Sequence, residues 1–88
     1  MHDESLAQGI TNYLFNDETM YRKHFIPCQY HMQSNPSDHK KVDRLVDSAC
    51  KKFAETHGIP SIAIGNDVKK QVAIEVMQEM INNIASKR

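Results

Sequence analysis

His24, Cys28 and His31 are the residues whose types and spacing come closest to chemistry. They lie at i, i+4 and i+7, so a continuous helix would hold all three on one face. Thiolate and imidazole are ligands that zinc prefers, and Cys28-x-x-His31 has metal-ligand spacing. A tetrahedral site needs a fourth ligand, which His39, Cys50 or His57 could supply. The second Cys/His pair that makes zinc motifs specific is missing, and Pro27 falls inside the segment that must align the three. A small metal-binding domain on His24, Cys28 and His31 is therefore the last of three functional expectations. No cofactor is expected ahead of it.

Cys28 with His24 or His31 is also the one thiol–imidazole pair suited to nucleophilic catalysis. Such a nucleophile needs a stabilised thiolate and a site for the oxyanion. The three glycines, Gly9, Gly58 and Gly65, are scattered, and none opens a phosphate loop beside these residues. Asp43 and Asp47 stand one helical turn apart, but Lys40, Arg44 and Lys51 surround them, as on a solvated face. The chain is expected not to be an enzyme.

Lys40, Lys41, Arg44, Lys51 and Lys52 give one helix a basic face. A nucleic-acid-binding helical module using this face is the second expectation. Asp43, Asp47 and Glu55 interleave with the cations and weaken it. Net charge points the same way. The 88 residues carry 11 basic and 11 acidic side chains, a formal net charge of zero. Strong nonspecific nucleic-acid binding needs a positive field instead.

The segment from Phe53 to Val68 resembles a helix-turn-helix. Ala54, Gly58, Ile59 and Ile64 fall where that motif uses a small residue, a turn glycine and two apolar residues. The resemblance covers about 16 residues and implies a DNA-reading second helix. Gly65 would then interrupt that helix, and Asp67 would replace an apolar anchor. A Gly-Pro helix stop between two bundle helices is the expectation adopted.

The leading functional expectation comes from the stretch Asn66 to Ala85. At 100° per residue, Val72, Ala73, Ile74, Val76, Met77, Met80, Ile81, Ile84 and Ala85 share one broad arc. It spans roughly 220°, against about 100° or more for an ordinary surface helix. A helix this broad must bury two faces. Ile74, Met77, Met80 and Ile81 are the candidate surface for a protein partner or a homodimer. Methionine suits adaptable contacts but fills core gaps equally well. The expected function is a non-enzymatic interaction or regulatory module acting through this helix. No small-molecule substrate is identified.

These residues must be positioned by helices. Ser5 to Phe15 carries a narrow apolar stripe, and Asn16-Asp17 breaks it and caps the next segment. Glu18 to Ile26 reads as a second helix, with a break or strong kink expected at Pro27. Asn35-Pro36 is a helix-start signal for a third helix running to about His57. Asp47–Lys51 is an expected i, i+4 ion pair on it. Gly58 should close this helix in the left-handed region, with Ile59 folding back and Pro60 preventing continuation. The isoleucines of 59–65 should plug one end of the bundle. Asn66 or Asp67 should cap the fourth helix, with Lys87 and Arg88 at its C-terminal dipole.

The expected fold is all-α: a single domain of three or four helices over residues 1–88, with the last two as an antiparallel pair. The expected core is Leu6, Ile10, Leu14, Tyr21, Phe25, Val42, Leu45, Val46, Ala49, Phe53, Ile62, Val76, Met77, Met80 and Ile84. Two cysteines make no disulfide framework, and both thiols are expected free in a reducing cytoplasm. No apolar run approaches the ~20 residues that span a bilayer.

Overall fold

Four helices account for nearly all of the chain in a computed structural model that describes residues 2–86. Helix α1 is His2–Asn16, α2 covers 18–34, α3 is His39–His57 and α4 is Asn66–Ser86. A single 3-10 turn, Ser61–Ala63, lies between α3 and α4. There is no strand among the described residues. The fold is a small all-α bundle with a radius of gyration of 12.6 Å, close to the roughly 12 Å of a compact chain this long.

Helix α1 begins at His2, ahead of the Ser5 start that the stripe suggests. Asp17 interrupts the chain in extended geometry, and its Oδ1 accepts the Met20 N–H at 2.9 Å. That is the capping role its position implies.

Helix α2 overturns one of the two outcomes expected at Pro27, the break. The helix does not stop there. It runs through the proline because the preceding residues, Tyr21–Phe25, form a π-helical turn. The Ile26 N–H reaches back five residues to the Tyr21 carbonyl. Proline has no N–H, and its ring collides with the carbonyl four residues earlier in a regular helix. A wider turn before it relieves that collision. The same turn stacks Tyr21 on Phe25, ring centroids 5.1 Å apart, and Phe15 meets Phe25 edge-on at 5.2 Å.

Asn35-Pro36 also acts differently from expectation. Asn35 ends α2: its N–H and its side-chain Nδ2 both donate to the His31 carbonyl, at 2.9 and 3.1 Å. Helix α3 starts three residues later, with Asp38 at the N-cap. The Asp38 carboxylate makes no cap; it turns to His31 Nε2 at 2.8 Å. A local side-chain bond to the previous helix has thus replaced the cap that the dipeptide promised.

The far end of α3 follows the sequence closely. Gly58 sits at φ 66° and ψ 29°, and the Ile59 N–H closes on the Ala54 carbonyl at 3.0 Å. Nothing lies within 4 Å of a Cβ built on Gly58. Gly58→Ala should therefore destabilise through the backbone alone, by about 1–2 kcal/mol. Urea denaturation of the two proteins checks this, with an unchanged dependence on denaturant concentration.

Ile62 is the largest correction to the expected core: it is 91% exposed. The Ala63 N–H bonds the Pro60 carbonyl at 3.0 Å, tightening 61–63 into a 3-10 turn. Three residues per turn put positions 62 and 64 on different sides. Ile64 is buried and plugs the bundle end, with half-buried Ile59 beside it.

Asp47 does not pair with Lys51. Its Oδ1 meets Lys69 Nζ at 3.2 Å, across from α3 to α4. Cys50 also lies beside Lys69, while Asp43 lies beside Ile74, so α3 and α4 run antiparallel. Helix α4 packs even more extensively on α1 than on α3. Its last turns are tied to α2 by Asn83 Nδ2 donating to Gln29 Oε1 at 2.8 Å. Gln29 is fully buried and its bond is satisfied. Cys50, Ala54 and Val72, which lie on the apolar faces of their helices, are buried, and Ala7, Met20, Cys28, Met32 and Val68 join the core with them. Leu6, Tyr21 and Met77 sit at its margin rather than inside it. Lys87 and Arg88, expected at the C-terminal dipole, lie outside the described residues.

Candidate functional site

Helix α4 presents two different faces. Val68, Val72, Val76 and Met80 are buried against α1 and α3. Ile74 and Ile81 sit close to the opposite side of the helix, seven residues apart and so aligned. They are 59% and 58% exposed. Ile84, expected in the core, is 39% exposed and extends the strip towards the C-terminus. Half-buried Met77 joins the two faces. Met80, expected on the outer surface as well as in the core, turns inward. The broad arc in the sequence is thus divided: one half packs inside, and the other lies largely outward.

Beside the strip runs an apolar cleft of about 200 Å³, lined by Met32, Pro36, Met77, Met80, Ile81 and Ile84. It arises because α2 continues past Pro27 and brings Met32 and the 35–38 turn alongside α4. A helix that stopped at Pro27 would leave no such wall.

The His24, Cys28 and His31 constellation does end on one continuous helix. The three nevertheless differ in surroundings. His24 is exposed and Cys28 is buried. His31 is held by Asp38, whose carboxyl is lowered below its ordinary value chiefly by that hydrogen bond. Among the described residues, no three His, Cys, Asp or Glu side chains gather as a metal-ligand set. His39 and His57 are exposed; His57 Nδ1 is engaged with the Phe53 carbonyl at 3.0 Å, and its ring stacks on Phe53.

Neither thiol is prepared for nucleophilic attack. Burial pushes the Cys28 thiol up, with the nearby Lys41 charge opposing only part of the effect. Burial pushes Cys50 up to about 11. Alkylation by iodoacetamide at pH 8 should accordingly be at least about tenfold slower in the folded protein than in urea. Mass spectrometry of quenched samples reads both sites, and equal rates in the two states would place the thiols at the surface.

The basic residues of α3 divide by direction. Lys41 and Arg44 face α2, where they line a groove with Lys23, His24, Pro27, Cys28, Leu45 and Ser48. Asp43 and Asp47 face α4, beside Lys69 and Lys70. Lys41 and Arg44 are therefore separated in space from Asp43 and Asp47. Lys51 stands with Asp47, Cys50 and Lys69, and Lys40 and Lys52 are exposed. The α3–α4 connection, residues 58–65, exceeds the roughly 3–4-residue turn of a helix-turn-helix. Gly65 precedes α4 instead of interrupting it: its carbonyl accepts the Lys69 N–H at 3.2 Å. No helix among the described residues is long and apolar enough to cross a membrane.

No protein-family model, curated protein or solved structure matches the chain.

Proposed function

We propose that the protein is a non-enzymatic interaction module that self-associates through the outward strip of α4. The observation that supports this is the pair Ile74 and Ile81, each more than half exposed on the helix side opposite the core. Large apolar side chains exposed singly are ordinary; a row of them on one helix beside an apolar cleft is not.

A second copy fits the strip on grounds of symmetry and charge. A two-fold dimer uses the same patch twice. Antiparallel packing sets Ile74 of one copy near Ile81 of the other. It also sends the two Lys70 ammonium groups to opposite ends of the contact. Gln78 and Asn82, on the neighbouring side of the strip, bring no charge. A chain of zero net charge has little long-range repulsion to overcome. Four apolar side chains are few beside the roughly 20–30 residues a side of a standard interface. The dimer should therefore dissociate on the order of micromolar concentration.

Native mass spectrometry across a dilution series tests this. A dimer mass that gives way to monomer in the micromolar range supports the proposal. A monomer throughout, up to about 100 μM, counts against it, because a micromolar constant would then leave mostly dimer.

A further inference from the structure

The groove between α2 and α3 gathers three cationic side chains, and it is a second surface independent of the α4 strip. Lys23 comes from α2, and Lys41 and Arg44 from one face of α3. Among the described residues, none of the three has a carboxylate within ion-pair distance; the ion pairs are Arg22–Glu18, His31–Asp38 and Lys69–Asp47. Asp38 is close enough to feel the Lys41 charge, but its carboxylate is bonded to His31. No carboxylate lines the groove. His24 and the Ser48 hydroxyl add two further groups able to donate hydrogen bonds.

Part of the groove wall lies in the unusual turn of α2. Lys23 and His24 lie within the π-helical segment Tyr21–Phe25, and Pro27 follows it on the groove wall. Lys23 and Pro27, and His24 and Cys28, are each four residues apart on α2 and line the same wall. Such turns are frequent at functional sites. In a chain with no net charge, three like charges meeting without a carboxylate partner is an arrangement that an anion completes.

We propose that this groove binds a phosphate group of a small phosphorylated ligand. Arg44 supplies the planar fork that fits two phosphate oxygens at once, and Lys23 and Lys41 supply point charges from either side. A volume of about 190 Å³ suits one phosphate with a short ester, not a length of polymer.

Two-dimensional amide NMR of the full chain at low ionic strength tests the site. The probes are inorganic phosphate and pyrophosphate, with sodium chloride at matched ionic strength as control and an oligothymidylate as the polymer arm. Saturable shifts centred on residues 23–24, 41–44 and 48 are expected, with pyrophosphate binding more tightly. Arg44→Gln and Lys23→Gln should each weaken binding about tenfold, the scale of one charge-assisted hydrogen bond. Lys51→Gln and Lys52→Gln should leave it unchanged. Circular dichroism confirms that each variant is folded. Shifts that match the chloride control overturn the proposal. So does equal sensitivity to Lys51 and Lys52, which would indicate diffuse attraction by α3. Binding of oligothymidylate without localised phosphate shifts overturns it in favour of a polymer backbone. Because Ile74 and Ile81 play no part in the groove, loss of the dimer leaves these outcomes readable.

Discussion

Phe25→Ala should remove about 3–5 kcal/mol of stability, the usual range for deleting a buried phenyl ring. Phe25 is completely buried and touches two other rings, Tyr21 and Phe15. A domain of 88 residues holds about 4–13 kcal/mol in total, at 0.05–0.15 kcal/mol per residue. The substitution therefore removes a large share of the stability, and in the lower part of that range all of it. The site has little capacity to collapse, because Phe25 belongs to a π-helical turn whose shape is tied to Pro27 two residues on. Urea denaturation followed by far-ultraviolet circular dichroism measures the loss. A change below about 1 kcal/mol, typical of a surface site, would mean that the ring cluster does not hold α1 against α2.

Ile74→Glu with Ile81→Glu should weaken self-association at least about 100-fold while helicity is retained. Burying an isoleucine side chain contributes roughly 1.5–3 kcal/mol, and each substitution acts twice in a two-fold interface. Four carboxylates brought together add repulsion. Neither residue supports the bundle core, since both are more than half exposed. Glutamate is also a better helix former than isoleucine. The circular dichroism of the double variant should match the parent, and native mass spectra should show monomer at concentrations where the parent is dimeric. Val76→Glu is the contrasting case. Val76 is fully buried on the inner side of the same helix, so a carboxylate there has no partner and should unfold the chain. A double variant that still dimerises shows that the strip is not the interface. One that unfolds shows that the outer isoleucines support the bundle.

The same two faces of α4 mark how far the sequence reaches. Helix type, the α3 stripe and the Gly58 stop are local properties, set by spacing and by backbone preference, and each is legible residue by residue. The apolar arc of α4 is legible too. Its division into Val72, Val76 and Met80 inside and Ile74 and Ile81 outside is not, because it depends on which helices pack against it. Helix α1 takes the larger share of that packing, and periodicity alone carries no information about partners in space.

Pro27 and Asn35 illustrate the same limit from the opposite direction. Each is a strong local signal, and each is resolved by its neighbours. A π-helical turn lets α2 pass through Pro27, and His31 takes both Asn35 and Asp38 into the end of α2. Pro27 and Cys28, on the wall of the basic groove, belong to that continuation. Lys23 and Arg44 are 21 positions apart, on different helices, so no spacing rule joins them. By itself, the sequence determined that this is an all-helical chain with one helix more apolar than a single core face requires. The tertiary structure alone decided which apolar residues remain outside and which cations meet, because both depend on contacts between helices distant along the chain.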